Sequence, residues 1–173
     1  MISFAFYGRV SAEENEDVSS SRNWQLARAR ELIEPYGVIV AEYFDVGQGR
    51  SLPWRGRPRA NELLVDLMDP GRGFDAVVIG EAHRAFYGYQ FGLVFALFSR
   101  HGVGLWIPEL GGPVDPSSEA HRQIMSALGN LAQGESLNAT SANLIKLRSG
   151  VLSGWRVVSW AVSGGGCRAG RVS

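Results

Sequence analysis

The sequence predicts an α/β fold: a doubly wound three-layer sandwich around a mostly parallel sheet of four to five strands. Short apolar runs alternate with helical patterns along the first 135 residues, the signature of β-α units. One of those runs, Ala76-Val77-Val78-Ile79, is apolar throughout, as expected of a central parallel strand covered on both faces. With 45% hydrophobic and 20% charged residues, the 173-residue chain can fill the core of one such domain.

The elements follow in order. Ile2 to Tyr7 reads as the first strand, ending at Tyr7-Gly8-Arg9-Val10-Ser11. Ser11 to Ser21 is polar and acid-rich and reads as a loop. A helix is predicted from about Ser21, with Leu26, Ala29, Ile33 and Tyr36 on one face and Pro35 and Gly37 at its end. Val38 to Phe44 is the second strand. Asp45 to Arg59, rich in Gly, Pro and Arg, reads as a long surface loop, and Ala60 to Met68 as a helix stopped by Asp69-Pro70-Gly71. After the central strand, Phe91, Val94, Phe95 and Phe98 mark a third helix, and Val103 to Ile107 a fourth strand. Ile124, Leu128 and Leu131 mark a fourth helix. The aromatic set from Phe86 to Phe98, Tyr87 and Tyr89 included, reads as core.

Charge is uneven. Residues 1–135 carry 12 basic and 17 acidic side chains, whereas 136–173 hold Lys146, Arg148, Arg156, Arg168 and Arg171 and no acid. This divides the chain into a domain at 1–135 and a basic, Gly/Ser-rich tail at 136–173, expected to be poorly ordered. The single cysteine, Cys167, excludes an intramolecular disulfide and a cysteine-built metal site. No basic-then-apolar leader is evident, and no apolar run approaches the roughly 20 residues that span a bilayer. A cytoplasmic protein without membrane contact is expected. Neither a Walker A sequence nor G-x-G-x-x-G is present, so no nucleotide cofactor is expected.

In such a sheet, ligands bind beyond the carboxyl ends of the strands. Ser11, Arg50 and the segment from Glu81 to Tyr87 each follow a strand onto that rim. A serine hydroxyl needs activation and charge stabilisation. Arg9, two residues away on an extended chain, carries a planar fork suited to phosphate oxygens. Serine plus arginine, with no Ser-His-Asp arrangement evident, points to attack on phosphorus.

The ordered set Tyr7-Gly8-Arg9-Val10-Ser11, Phe44-Asp45-Val46-Gly47, Arg57-Pro58, Phe74-Asp75-Ala76-Val77-Val78, His83-Arg84 and Val114-Asp115-Pro116 resembles the serine recombinase catalytic domain of resolvases, invertases and large integrases. The resemblance runs from about Ile2 to Glu135 and implies a resolvase-like fold. It also implies DNA cleavage and rejoining through a 5′-phosphoserine at Ser11, without metal or cofactor, by a homo-oligomer acting on double-stranded DNA. Arg9, Arg50 and Arg84 match three arginines of the family's site. The chain departs from the pattern at four places. His83 stands at the family's acid position, Tyr87 at its second arginine, Asn15 at a glutamine and Glu135-Ser136 at a Glu-Arg pair. His83 is the candidate proton donor, its ordinary pKa lying near neutrality; Asn15, Tyr87, Arg122 and Glu135 are candidate DNA contacts. The long helix and DNA-binding domain that follow in family members find no match after Glu135, which suggests a truncated or frameshifted relative. Two alternatives stand beside this reading. One is a catalytically decayed recombinase-like interaction module. The other is a flavodoxin-like binding domain, against which the acid-rich segment Glu13 to Asp17 argues.

Overall fold

The structure, a computed structural model, describes residues 1–12 and 17–131, the last three by backbone alone. Five strands and five helices are present among them: β1 (Ile2–Val10), α1 (Val18–Ile33), β2 (Gly37–Val46), α2 (Pro58–Met68), β3 (Ala76–Ile79), α3 (Ala82–Ala85), α4 (Gln90–Arg100), β4 (Gly104–Ile107), β5 (Gly112–Pro113) and α5 (Glu119–Leu131). The sheet order is β2-β1-β3-β4-β5, parallel except for the short antiparallel β5. This is the predicted α/β class. The tail 136–173, with Glu135, lies outside the described residues, as does Asn15.

Alternation along the strands sorts the core into two. Ala5, Tyr7, Val77, Ile79, Leu105 and Ile107 face α2, α4 and α5, where Leu63, Leu67, Val94, Phe98, Ile124 and Leu128 meet them. Phe4, Phe6, Ala76, Val78 and Trp106 face α1 through Leu26, Ala29 and Ile33.

β2 carries one extra residue. Ile39 pairs with Phe4, but Ala41 pairs with Ala5, so Val40 is a bulge. Because strand side chains alternate, a one-residue slip exchanges faces. Beyond Val40, the bulge therefore turns Tyr43 and Asp45 to the face that bears Tyr7 and Arg9.

Several boundaries differ from the sequence reading. β1 runs to Val10, so Arg9 lies inside the strand rather than at its exit. α1 begins three residues earlier than expected because Asp17 caps it, accepting from the Ser20 N–H at 2.8 Å. The same helix ends at Ile33, which leaves Tyr36 beyond it and 45% exposed. Tyr89, read as core, is 81% exposed at the start of α4, while Phe86 and Phe98 are buried as expected.

α5 is fastened through His121, whose Nδ1 accepts the Asp115 backbone N–H at 2.9 Å. Burial holds this imidazole below its ordinary pKa, with Asp115 opposing. The unfolded chain therefore binds the proton first, below about pH 6.5, and stability falls as pH drops through that value. Urea midpoints at pH 7.5 and 5.5 should show the loss, and His121→Gln should flatten it. A second test concerns Gly80, where a Cβ would lie 2.7 Å from Gln25 Cβ and 2.9 Å from its Oε1. Gly80→Ala should cost about 1–3 kcal/mol in urea unfolding through overpacking.

Candidate active site

The carboxyl end of β1 is built to run past its neighbour. β3 stops at Ile79, opposite Tyr7, and the last rung on that side is the Gly80 N–H to the Tyr7 carbonyl at 2.9 Å. Gln25 of α1, fully buried, replaces the missing strand. Its Nε2 donates to the Arg9 carbonyl at 3.0 Å and its Oε1 accepts the Arg9 N–H at 3.2 Å. Such a two-point clasp satisfies backbone groups that burial would otherwise orphan. Nε2 also reaches Ser21 Oγ at 3.2 Å. Gly8 and Gly80 admit the glutamine, since a Cβ on either would collide with it. Ser11, half-buried, follows one residue beyond the strand.

Arg9 is 1% exposed. Its Nε donates to the Arg84 carbonyl at 2.7 Å and its Nη1 to the Gln48 carbonyl. The sequence offered Arg9 as a phosphate ligand. In this structure its guanidinium ties the end of β1 to the loop after β2 and to α3. Carbonyl acceptors of this kind offset the cost of burying a guanidinium.

Arg57, which the sequence reading places in the surface loop Asp45 to Arg59, is instead the N-cap of α2 and the centre of the rim. It is fully buried. Nε donates to the Leu52 carbonyl (2.8 Å), Nη1 to the Ala85 carbonyl (2.7 Å) and to Tyr7 Oη (3.2 Å), and Nη2 to the Arg50 carbonyl (2.7 Å) and Gln90 Oε1 (2.9 Å). Tyr7 in turn donates to Asp45 Oδ2 at 3.1 Å. Burial, with Asp45 assisting and Arg57 opposing, raises the Tyr7 phenol well above its ordinary pKa, so it stays protonated. Asp45 also accepts the Arg59 and Ala60 N–H groups at 2.8 and 3.0 Å and so caps α2 from another strand. Arg50 itself is exposed, and only its carbonyl joins the network.

The third component is α3 and its surroundings. Arg84 Nε donates to Glu81 Oε2 at 2.5 Å, and His83 Nδ1 lies 3.3 Å from Glu81 Oε1. Arg28 of α1 approaches Glu81 at 4.0 Å and Glu109 at 3.4 Å. Burial raises the Glu109 carboxyl pKa, Arg28 acting against it, and one Glu109 oxygen is buried without a hydrogen-bond partner. Glu81, His83 and Glu109 bring one ligand atom each within 4.8 Å of one another. Arg28 and Arg84 are the cations that pair with the two carboxylates. Tyr87 is half-buried beside it in sequence. Arg122 is exposed on α5 and bonded to Glu119, and it lines a groove of about 360 Å³ between α4 and α5.

Of the sequence candidates, then, Arg9, His83 and Arg84 are brought together, with Ser11 one residue past the strand that holds Arg9. Arg50 joins through its backbone, and Arg122 stands with Glu119. Tyr7, Gln25, Asp45, Arg57 and Glu81 were not singled out as site residues. Arg57-Pro58 was the one signal available, since proline at the first helical position fixes the preceding residue as an extended cap.

The fold is that of the serine recombinase catalytic domain. The chain is similar to the N-terminal catalytic domain of TP901-1 integrase, at 20% identity and a TM-score of 0.53, over 76% of this chain and 94% of that one. It is also similar to a resolvase family site-specific recombinase from Streptococcus pneumoniae, at 19% identity and a TM-score of 0.55, over 88% of this chain and 97% of that one. No family model and no curated protein matches the sequence. Among the described residues, no helix is long and apolar enough to cross a membrane.

Arg57→Ala should destabilise the domain by about 3–5 kcal/mol, because several buried acceptors lose their donor at once. Arg50→Ala, whose side chain is exposed, should stay within about 0.5 kcal/mol. Parallel urea titrations of the two variants check this contrast.

Proposed function

We propose that this chain is the catalytic domain of a site-specific DNA recombinase that cleaves and rejoins double-stranded DNA through a 5′-phosphoserine at Ser11. The observation that carries the reading is the rim itself. Gln25 clasps β1 where it runs past β3, Arg9 ties that strand end to α3, which carries His83 and Arg84, and Ser11 is the next residue after β1. The neighbours of the same fold, an integrase and a site-specific recombinase, support it.

In this reading Ser11 Oγ attacks phosphorus, and negative charge builds on the non-bridging oxygens. Preorganised cations are the usual remedy for such charge. Arg84 is assigned that role, with Arg50 as an exposed second cation on the loop after β2. Arg9 acts one step back, fixing the backbone of Arg84 and Gln48. His83 donates the proton to the departing 3′ oxygen. Asn15, Tyr87, Arg122 and Glu135 are assigned to DNA contacts, and the active unit is a homo-oligomer working in the cytoplasm.

A second reading is favoured by two observations: Arg9 is buried and donates to carbonyls, and Tyr87 supplies no charge where the family places an arginine. In that case the chain is a decayed interaction module that associates with intact recombinase subunits.

The two separate on a covalent adduct. Incubated with a pool of randomised nicked duplexes, the wild-type chain should form a denaturant-resistant protein–DNA species that Ser11→Ala abolishes. Arg84→Ala should slow its formation by about 10²–10³-fold. No adduct with any duplex, together with capture of an intact recombinase subunit, establishes the second reading instead.

A further inference from the structure

Resting on the recombinase reading, we infer that Glu81 is a positioning residue that orients His83 as a general acid and braces Arg84 through one carboxylate. Glu81 occupies the N-cap of α3, where a carboxylate ordinarily turns back to the helix's own N–H groups. It makes no such bond. Glu109, arriving from the turn after β4, caps in its place, accepting the Ala82 N–H through Oε1 at 3.2 Å. The Glu81 carboxylate is thereby left for side chains. Oε2 takes Arg84 Nε at 2.5 Å, and Oε1 faces His83 Nδ1 at 3.3 Å.

A carboxylate at Nδ1 selects the tautomer that carries a proton there and makes Nε2 the position of proton exchange. His83 is 40% exposed in its side chain, whereas Glu81 is 11% exposed. The imidazole thus lies at the surface, where DNA arrives, and its holder lies behind it. Among the described residues, the other charged groups around the pair include Arg84 of α3, Glu109 after β4, Arg28 of α1 and Arg9 of β1, which reaches α3 at the Arg84 carbonyl. From α5, which packs on α3, Arg122 is bonded to Glu119 and His121 to the Asp115 N–H.

In the cleavage step the Ser11 Oγ–P bond forms and the P–O3′ bond breaks. The Ser11 proton passes to water, and Nε2–H of the His83 imidazolium passes to the departing O3′, leaving neutral imidazole. Religation runs the same transfers in reverse.

The test begins with the wild-type chain free of DNA. Nitrogen-15 spectra of the histidines should place the neutral His83 proton on Nδ1, and a proton on Nε2 alone would overturn the inference without reference to any activity. In Glu81→Gln, which keeps an acceptor but loses the charge, the His83 pKa should fall by about one unit, a value reduced for its partial exposure. Glu81→Asp should restore part of the shift. An unchanged His83 titration in Glu81→Gln sinks the inference. Adduct formation by wild type should decline as pH rises through the His83 pKa, and in Glu81→Gln that decline should move to lower pH by the same amount. If no chain forms an adduct, the recombinase reading fails, while the spectra still decide whether Glu81 orients His83.

Discussion

A single buried guanidinium holds the rim of this domain together. Arg57 has no exposure to solvent, and an isolated charge in that position would be prohibitively costly. Its cost is offset by acceptors drawn from four parts of the chain: the loop after β2, the end of α3, the first residue of α4 and the phenol of β1. The negative charge that balances it is not in direct contact. It arrives through Tyr7, which accepts from Arg57 and donates to Asp45. In a low-dielectric setting such a chain of bonds is cooperative, and removal of its central member strands all the others. The position of α3, and with it of His83 and Arg84, follows from the grip on the Ala85 carbonyl. Trp54 strengthens that grip by donating to the same oxygen at 2.9 Å while stacking on Phe86.

That network exists only because the strands present the right faces to one another. Without the bulge at Val40, Asp45 would face α1 and Phe44 would meet α2. The cap on α2 and the partner of Tyr7 would both be lost. Likewise, without Gly8 and Gly80, Gln25 could not lie flat on the strand ends, and beyond Tyr7, where β3 stops, β1 would be held from the β2 side alone. Two local irregularities therefore determine whether the serine at the end of β1 is held on a defined backbone.

The parts legible in the sequence were those that rest on local pattern. The apolar run of β3 was read with its boundaries intact, and the 3.6-residue spacing of α4 and the placement of Arg84 after β3 were equally plain. Long-range satisfaction was not legible. Gln25 reads as an ordinary helix residue until the strand it clasps is in place, and Tyr7 and Asp45 are remote in sequence yet joined through one hydrogen bond. Arg9 illustrates the limit most clearly. Its residue type and position suggested a phosphate ligand, but burial was decided by which carbonyls came within reach. α3 escaped notice because four residues are too few to show a period, and α1 was begun late because a run of serines after Asp17 resembles a loop.

Arg9 and Arg57 are both buried at the rim, Arg9 donating to the Arg84 and Gln48 carbonyls and Arg57 to three carbonyls, the Tyr7 phenol and the Gln90 side chain. Asp45 balances Arg57 through Tyr7, and Glu81 and Glu109 pair with Arg84 and Arg28. Fixed acceptors on four parts of the chain therefore decide where each buried guanidinium lies. Neither guanidinium can shift without breaking several of these bonds at once, so the two buried arginines fix the geometry of the rim through a cooperative set of contacts rather than through any single one.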